Sequence, residues 1–158
     1  MVTNLEILDI SCNFLEVLPS SISQLSNLKN LNLWNNNIQD FADIFSQLTS
    51  LERLDLGWNN IQILDIDFSK LHHLSWLSLR DNQLSLLPKS LEQLQNLQQL
   101  HLCRNQIQEI SINLDKMTSL HTVVINENPL NKRPQPNPFT YFNYYSSSSR
   151  YGIFYRKK

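Results

Sequence analysis

Residues 74–96 read LSWLSLRDNQLSLLPKSLEQLQN. Leucine stands at the first, fourth, sixth and eleventh positions and asparagine at the ninth, and this spacing recurs along the chain. Leu5, Leu28, Leu51, Leu74, Leu97 and Leu120 are each 23 residues apart. Three positions on stand Leu8, Leu31, Leu54, Leu77, Leu100 and Val123, and five on stand Ile10, Leu33, Leu56, Leu79, Leu102 and Ile125. Eight on comes Asn13, Asn36, Asn59, Asn82, Asn105 and Asn128, and ten on comes Leu15, Ile38, Ile61, Leu84, Ile107 and Leu130. The apolar set continues between repeats with Leu18, Phe41, Leu64, Leu87 and Ile110, then Ile22, Phe45, Phe68, Leu91 and Leu114, then Leu25, Leu48, Leu71, Leu94 and Met117. Self-similarity at one fixed period is the signature of a stacked repeat architecture.

Each column has a physical reason. One coil cannot bury its inward side chains alone, but coils stacked at the strand spacing of about 4.8 Å turn each column into a continuous buried stripe. Burial stabilises by about 1.5–3 kcal/mol per aliphatic side chain, so stacking holds the chain together. The asparagine column meets a different need. Where the chain turns after a short strand, amides and carbonyls point inward, and an amide side chain with donors and an acceptor can satisfy them from coil to coil. The pattern LxxLxLxxNxL, followed by Leu87-Pro88 with Leu91, Leu94 and Leu97, resembles the leucine-rich repeat family over Leu5 to Leu130. Within that family it is similar to the 23-residue LPxxL subtype of intracellular scaffold proteins and bacterial effectors. The resemblance implies an α/β solenoid, a horseshoe with a parallel concave β-sheet and short 3₁₀ or irregular convex segments. Proline occurs only as Pro19 and Pro88, with Ala42, Asp65 and Ser111 at the equivalent places, which points to irregular or single 3₁₀ turns there. The Cys-rich caps of extracellular members are missing, which argues against a receptor ectodomain. So are the shorter repeat and catalytic cysteine domain of bacterial ubiquitin-ligase effectors.

Composition agrees with one soluble domain: 158 residues, 41% hydrophobic, 17% charged. No apolar stretch is long enough for a membrane span, and Met1 to Leu8 has no basic region of a secretory signal. Two cysteines are too few for a disulfide scaffold and no asparagine lies in a glycosylation sequon, which leans toward a reducing compartment. Residues 1–130 hold all 14 acids and seven of the 13 basic residues, a formal charge of −7, whereas 131–158 hold six basic residues and no acid. The chain therefore divides into repeats over 1–130, a Pro/aromatic cap over 131–145, and a Ser-rich spacer with a basic aromatic tail over 146–158. Phe139, Tyr141, Phe142, Tyr144 and Tyr145 are expected to form a lid on the last coil, and the tail to be disordered or loosely docked. The first coil is barely covered. A fragment of a longer protein, self-association through the open end, and a degenerate start all account for that.

Alternate residues of a strand point to opposite faces, so the positions between the buried leucines point outward on the concave sheet. One outward column reads Ile7, Asn30, Arg53, Trp76, Gln99, Thr122; the next, Asp9, Asn32, Asp55, Ser78, His101, Val124. A third reads Ser11, Trp34, Gly57, Arg80, Cys103, Asn126, and a fourth, at the strand's end, Cys12, Asn35, Trp58, Asp81, Arg104, Glu127. All three tryptophans fall in these columns. Together with nearby arginines they have the composition of an interface hot spot. The contrary reading is that the rings lie on neighbouring stems with arginine stacked on them and bind nothing. Trp34 and Trp58 are expected to touch, with Trp76 a separate anchor. The candidate partner-binding residues are Trp34, Trp58, Trp76, Arg53, Asp55, Arg80, Asp81, His101 and Arg104. His101 and Cys103 superficially offer a base and a nucleophile, but their attachment points stand about 7 Å apart with no orienting acid. Cys12 and Cys103, four coils apart at about 19 Å, are expected to be free thiols. No metal-ligand set, phosphate loop or nucleophile elbow occurs, so no cofactor is expected.

The expected function is a non-catalytic recognition module that binds a protein on its concave face, a signalling scaffold or a secreted bacterial effector. The alternative is an architectural module that self-associates through its open first coil. A third reading, an enzyme using Cys103 and His101, has the least support. Neither nucleic acid nor membrane is an expected partner, and the expected location is cytoplasmic, in a bacterium or in its host cell.

Overall fold

The computed structural model describes residues 4–41 and 44–131, with the backbone of two further short strands. Each 23-residue unit makes one coil. The strands are β1 (Ile7–Asp9), β2 (Asn30–Asn32), β3 (Arg53–Asp55), β4 (Trp76–Ser78), β5 (Gln99–His101) and β6 (Thr122–Val124), paired in parallel in sequence order as one open six-stranded sheet. Register is constant: Leu8, Leu31, Leu54, Leu77, Leu100 and Val123 stand side by side across it. The expected solenoid horseshoe is thus the observed fold. Leu77 and Leu79 are fully buried, which fixes the tryptophan columns on the opposite, concave side.

Short 3₁₀ turns form the convex side, and their length follows local sequence. Pro19 and Pro88 precede five-residue turns, Ser20–Gln24 and Lys89–Gln93. Proline pre-sets φ and withholds an N–H that an initiating turn does not need. The remaining coils carry three-residue turns, Phe45–Gln47, Phe68–Lys70 and Leu114–Lys116. In two of these an Asx residue two positions beyond the proline site caps the turn: Asp67 and Asn113 accept from the amides of Ser69 and Asp115. Ala42 lies outside the described residues. The core contains three residues beyond the expected columns, Ile44, Ile66 and Ile112, all in coils without the proline. Ile110 and Leu114, assigned to the core by periodicity, are only partly buried.

The asparagine column couples the coils. Asn59 Nδ2 donates to the carbonyls of Leu33, Leu56 and Gly57 at 3.0, 3.2 and 3.1 Å, and its Oδ1 accepts from Ile38 N at 2.9 Å. Asn36, Asn82, Asn105 and Asn128 repeat this arrangement. Asn13 Nδ2, in the first of these coils, donates to the carbonyls of Ile10 and Ser11 in its own turn, and among the described residues no bond from this side chain to another coil occurs. Immediately before each asparagine the chain turns through the left-handed region: Cys12, Asn35, Trp58, Asp81, Arg104 and Glu127 have φ between 51° and 57°.

At the first coil Leu5, Leu8, Ile10 and Leu15 are only partly buried, and Phe14 is 90% exposed. Beyond Asn131, the backbone of β7 (Thr140–Asn143) pairs antiparallel with β8 (Phe154–Lys157), and β8 lies beside β6. A strand over Phe154–Lys157 departs from the disordered or loosely docked tail expected there. Pairing supplies the reason, since the strand's amides and carbonyls gain ladder partners in β7. The side chains of the expected aromatic lid, Phe139, Tyr141, Phe142, Tyr144 and Tyr145, and the Ser-rich spacer lie outside the described residues.

Replacing Asn59 with leucine leaves three carbonyls and one amide without their partner in the interior, at about 1–3 kcal/mol for each group not rescued by relaxation. Urea unfolding is expected to show Asn59→Leu losing at least about 3 kcal/mol, whereas Asn13→Ala loses less than about 1 kcal/mol. Equal losses would mean that coupling between coils does not pass through this column.

Candidate functional site

The concave sheet displays the outward columns, and contacts between them cross from coil to coil. Trp34 and Trp58, on adjacent coils, touch with ring centroids 6.1 Å apart and planes tilted by 52°. Arg80 extends back over Gly57, its Cζ 5.9 Å from the Trp34 ring. Gly57 makes that reach possible. A Cβ there would lie 3.0 Å from Arg80 Cγ and 3.1 Å from both Asp55 Oδ1 and Trp34 Cδ1, tighter than ordinary contact. Trp76 belongs to a second cluster, as its column implied: Arg53 Cζ lies 4.4 Å over its ring, and the His101 ring sits with its centroid 5.3 Å away and its plane tilted by 42°. Arginine does stack on tryptophan at Trp34 and Trp76, and both rings are half-buried. Among the described residues no guanidinium lies on Trp58, which is 48% exposed.

The charged candidates divide the same way. Arg104 sits between two carboxylates, its Nε 3.0 Å from Glu127 and its Nη1 3.3 Å from Asp81, and these bonds hold its pKa above the usual value. Asp55 Oδ1 accepts from Gly57 N at 2.9 Å, closing the strand's end. Asp9 and Asn32 do the same for Ser11 and Trp34. Asp55 was read as a partner contact, and its first duty is this turn. Sequence reasoning missed two residues of the site. Gly57 could have been noticed as one of only two glycines in the chain. Ser78, 1% exposed with an Oγ that meets no hydrogen-bond partner, gave no signal.

His101 Nε2 lies 3.5 Å from Gln99 Oε1, and among the described residues no hydrogen bond joins it to Cys103. Burial, then Asp81, pushes the Cys103 thiol upward, away from the thiolate a nucleophile needs. Cys12 and Cys103 are unpaired. Among the described residues no group of side chains could hold a metal ion, and no helix is long and apolar enough to cross a membrane. Outside the concave face Val17, Ile63 and Leu86 share one exposed column, a feature the periodicity did not flag.

Burial, then Arg80, with a smaller contribution from Arg53, depresses the pKa of His101 against an opposing pull from Asp55. The unfolded chain therefore binds this proton more readily than the folded one. Stability contributed by neutral His101 is present above the ordinary value of 6.5 and is lost as pH falls through the lower folded pKa. Thermal melts stepped down from pH 7 are expected to show a fall in Tm that the His101→Gln variant lacks in that window. Superimposable curves would place no unfavourable charge at this position.

Among solved structures the chain is similar to an internalin from Listeria monocytogenes (inlF), with 28% identity and a TM-score of 0.71 over 80% of this chain and 36% of that one. It is equally similar to internalin C2 of the same organism, with 29% identity and a TM-score of 0.71 over 80% of this chain and 54% of that one. It thus spans between about a third and a half of these proteins. No curated protein sequence matches it. The leucine rich repeat family matches residues 3–61 and, in the next register, 26–84. With that match, the constant register and the asparagine ladder, the chain belongs to the leucine-rich repeat family, whose fold serves in general as a protein-interaction module.

Proposed function

We propose that the protein is a non-catalytic recognition module whose concave sheet receives a protein partner, with Trp58 as its central anchor. The exposed indole of Trp58 carries this reading. Large aromatic side chains left open on a rigid surface are where interface energy concentrates, and the neighbouring Trp34 ring supplies the packed wall that excludes water around such an anchor. Trp76, held under Arg53 and beside His101, forms a second, flatter contact one coil on. Arg104 and Asp81, bound to each other, act as a polar rim. The raised thiol pKa of Cys103 speaks against enzymatic use of the site.

A scaffold or effector role fits such a module, as does a cytoplasmic setting, in which the exposed thiol of Cys12 stays reduced. A second reading is favoured by a different observation. The first coil's partly buried leucines, Leu5, Leu8 and Leu15, with Phe14 at 90% exposure, offer an apolar surface for self-association.

Affinity capture from bacterial and host lysates supplies the partner, and variants then locate its site. Trp58→Ala is expected to weaken binding by about 30-fold, roughly 2 kcal/mol, with unchanged circular dichroism, while Ile63→Ser on the convex-side column leaves it unaltered. The concave reading fails if Trp58→Ala binds normally. Light scattering tests the second reading, which requires mass to rise with concentration and Phe14→Ser to reduce that rise.

A further inference from the structure

Three cations stand in the outward columns of the concave sheet, Arg53, Arg80 and Arg104. Arg104 is compensated by Asp81 and Glu127. Arg53 and Arg80 are not: among the described residues neither takes part in an ion pair, and each is laid on a tryptophan ring instead. Asp55, the carboxylate in the column between them, accepts from the backbone amide of Gly57. Stacking on an indole face orients a guanidinium and leaves its edge, with its fork of N–H donors, open to an acceptor. The single Asp55 carboxylate in the column between them balances at most one of the two charges and is in an ion pair with neither, so each guanidinium edge is an unanswered half of a bidentate contact.

Register gives the separation. Arg53 begins β3, and Arg80 lies two residues beyond the end of β4, where Ser78 is the partner of Asp55. The offset is four residues along the strand direction, about 13 Å, and one coil across, about 4.8 Å. The attachment points stand about 14 Å apart and the side chains turn to different coils, Arg53 toward Trp76 and Arg80 toward Trp34, so while they rest on these rings they match two acidic side chains on an extended peptide and not one phosphate or carboxylate.

We propose that the concave face anchors its partner through two carboxylates of one extended acidic segment, spaced about four residues apart, one on Arg53 and one on Arg80. The assignment rests on the reading that this face receives a protein. The hollow beside Arg53 is lined by Ile7, Asn30, Asn32 and Trp76 and also by the carboxylates of Asp9 and Asp55, so it gives room to the neutral part of such a segment and confines its acids to the two guanidiniums. Specificity then comes from spacing rather than from net charge, because a partner with adjacent acids engages only one arginine at a time.

The probes are two capped pentapeptides of identical composition, two glutamates with Gly, Ser and Gly, carrying the glutamates at the two ends or adjacent to each other. Binding is followed on the full chain by the NMR signals of the arginine Nε–H and tryptophan indole N–H groups. At low salt the spaced peptide is expected to shift the Arg53 and Arg80 signals together and to bind at least about threefold more tightly than the adjacent one, since each exposed ion pair adds a fraction of a kcal/mol. Arg53→Gln with Arg80→Gln should abolish the difference, while Arg104→Gln should preserve it. Equal affinity for the two peptides, an equal loss in Arg104→Gln, or inorganic phosphate shifting both signals as strongly as the spaced peptide would each overturn the assignment. Its failure is separable from failure of the concave reading. A captured partner that needs Trp58 but tolerates the double arginine variant leaves the face standing and removes the carboxylate anchors.

Discussion

One amide side chain per coil is the constraint on which the rest depends. Each inner asparagine answers backbone groups of its own turn and of the coil before it, as Asn59 does for Leu56, Gly57, Leu33 and Ile38. Aspartate lacks the donors, leucine lacks both functions, and glutamine is a methylene too long to bond so close to its own backbone. The turn this side chain holds is one an L-residue enters only at about 1–2 kcal/mol. Glycine would adopt it freely, yet none of the six residues there is glycine. Because the following asparagine fixes the backbone, the residue in the left-handed position is released from structural duty and its side chain can be anything. Cysteine, asparagine, tryptophan, aspartate, arginine and glutamate all occur. A rigid ridge of unconstrained chemistry is what a recognition surface needs, and Trp58 stands on it.

The same separation governs the concave sheet. Buried columns are nearly all leucine, isoleucine and phenylalanine, and the exposed columns are organised by contacts that join coils. Arg53 rests on Trp76, Arg80 crosses Gly57 to reach Trp34, and Arg104 links Asp81 to Glu127. These contacts restrict long side chains before any partner arrives, which lowers the entropy that association must overcome. They also divide the tryptophans. Trp34 and Trp76 serve partly as platforms for arginine, whereas Trp58 keeps its indole available.

What the sequence made legible follows from this division. A period of 23 residues with fixed columns is enough to place the sheet, the core stripes, the asparagine ladder and the outward face of every tryptophan, because a single slip of register would expose a whole stripe. The convex side was less legible. Ile44, Ile66 and Ile112 lie in coils without proline, two of which start their 3₁₀ turn at Asp67 or Asn113; Ile66 and Ile112 share a register position two periods apart, but Lys89 interrupts that column in the proline-bearing coil between them. The left-handed turns were hidden because tryptophan, arginine and glutamate give no hint of positive φ. At the site, composition suggested that Asp55 and Arg104 face a partner. A carboxylate bonded to an amide two residues on, or a guanidinium tied to neighbours 23 residues away in either direction, looks the same in a sequence as a free charge.

Charge counting fails for the same reason. The repeats carry a formal −7, which read literally forbids an acidic ligand. Hydrogen bonds do not remove that charge: Asp9 with Ser11 and Asn32, Asp67 with Ser69, and Glu92 with Lys116 and the amide of Asn113 are each held below the ordinary pKa and stay ionised, and of these partners only Lys116 brings a cancelling charge. Others, such as Glu16, Asp65 and Glu109, belong to the loop and convex segments, across an apolar core from the concave sheet. At physiological salt a charge more than about 8 Å away is largely screened. A partner entering the concave face therefore responds to the local field, where Arg53 and Arg80 stand outside any ion pair among the described residues, with Asp55 in the column between them. The outward columns together sum to −1, three arginines against Asp9, Asp55, Asp81 and Glu127, so an acidic segment is met by two guanidiniums at fixed places and not by the sign of the whole face.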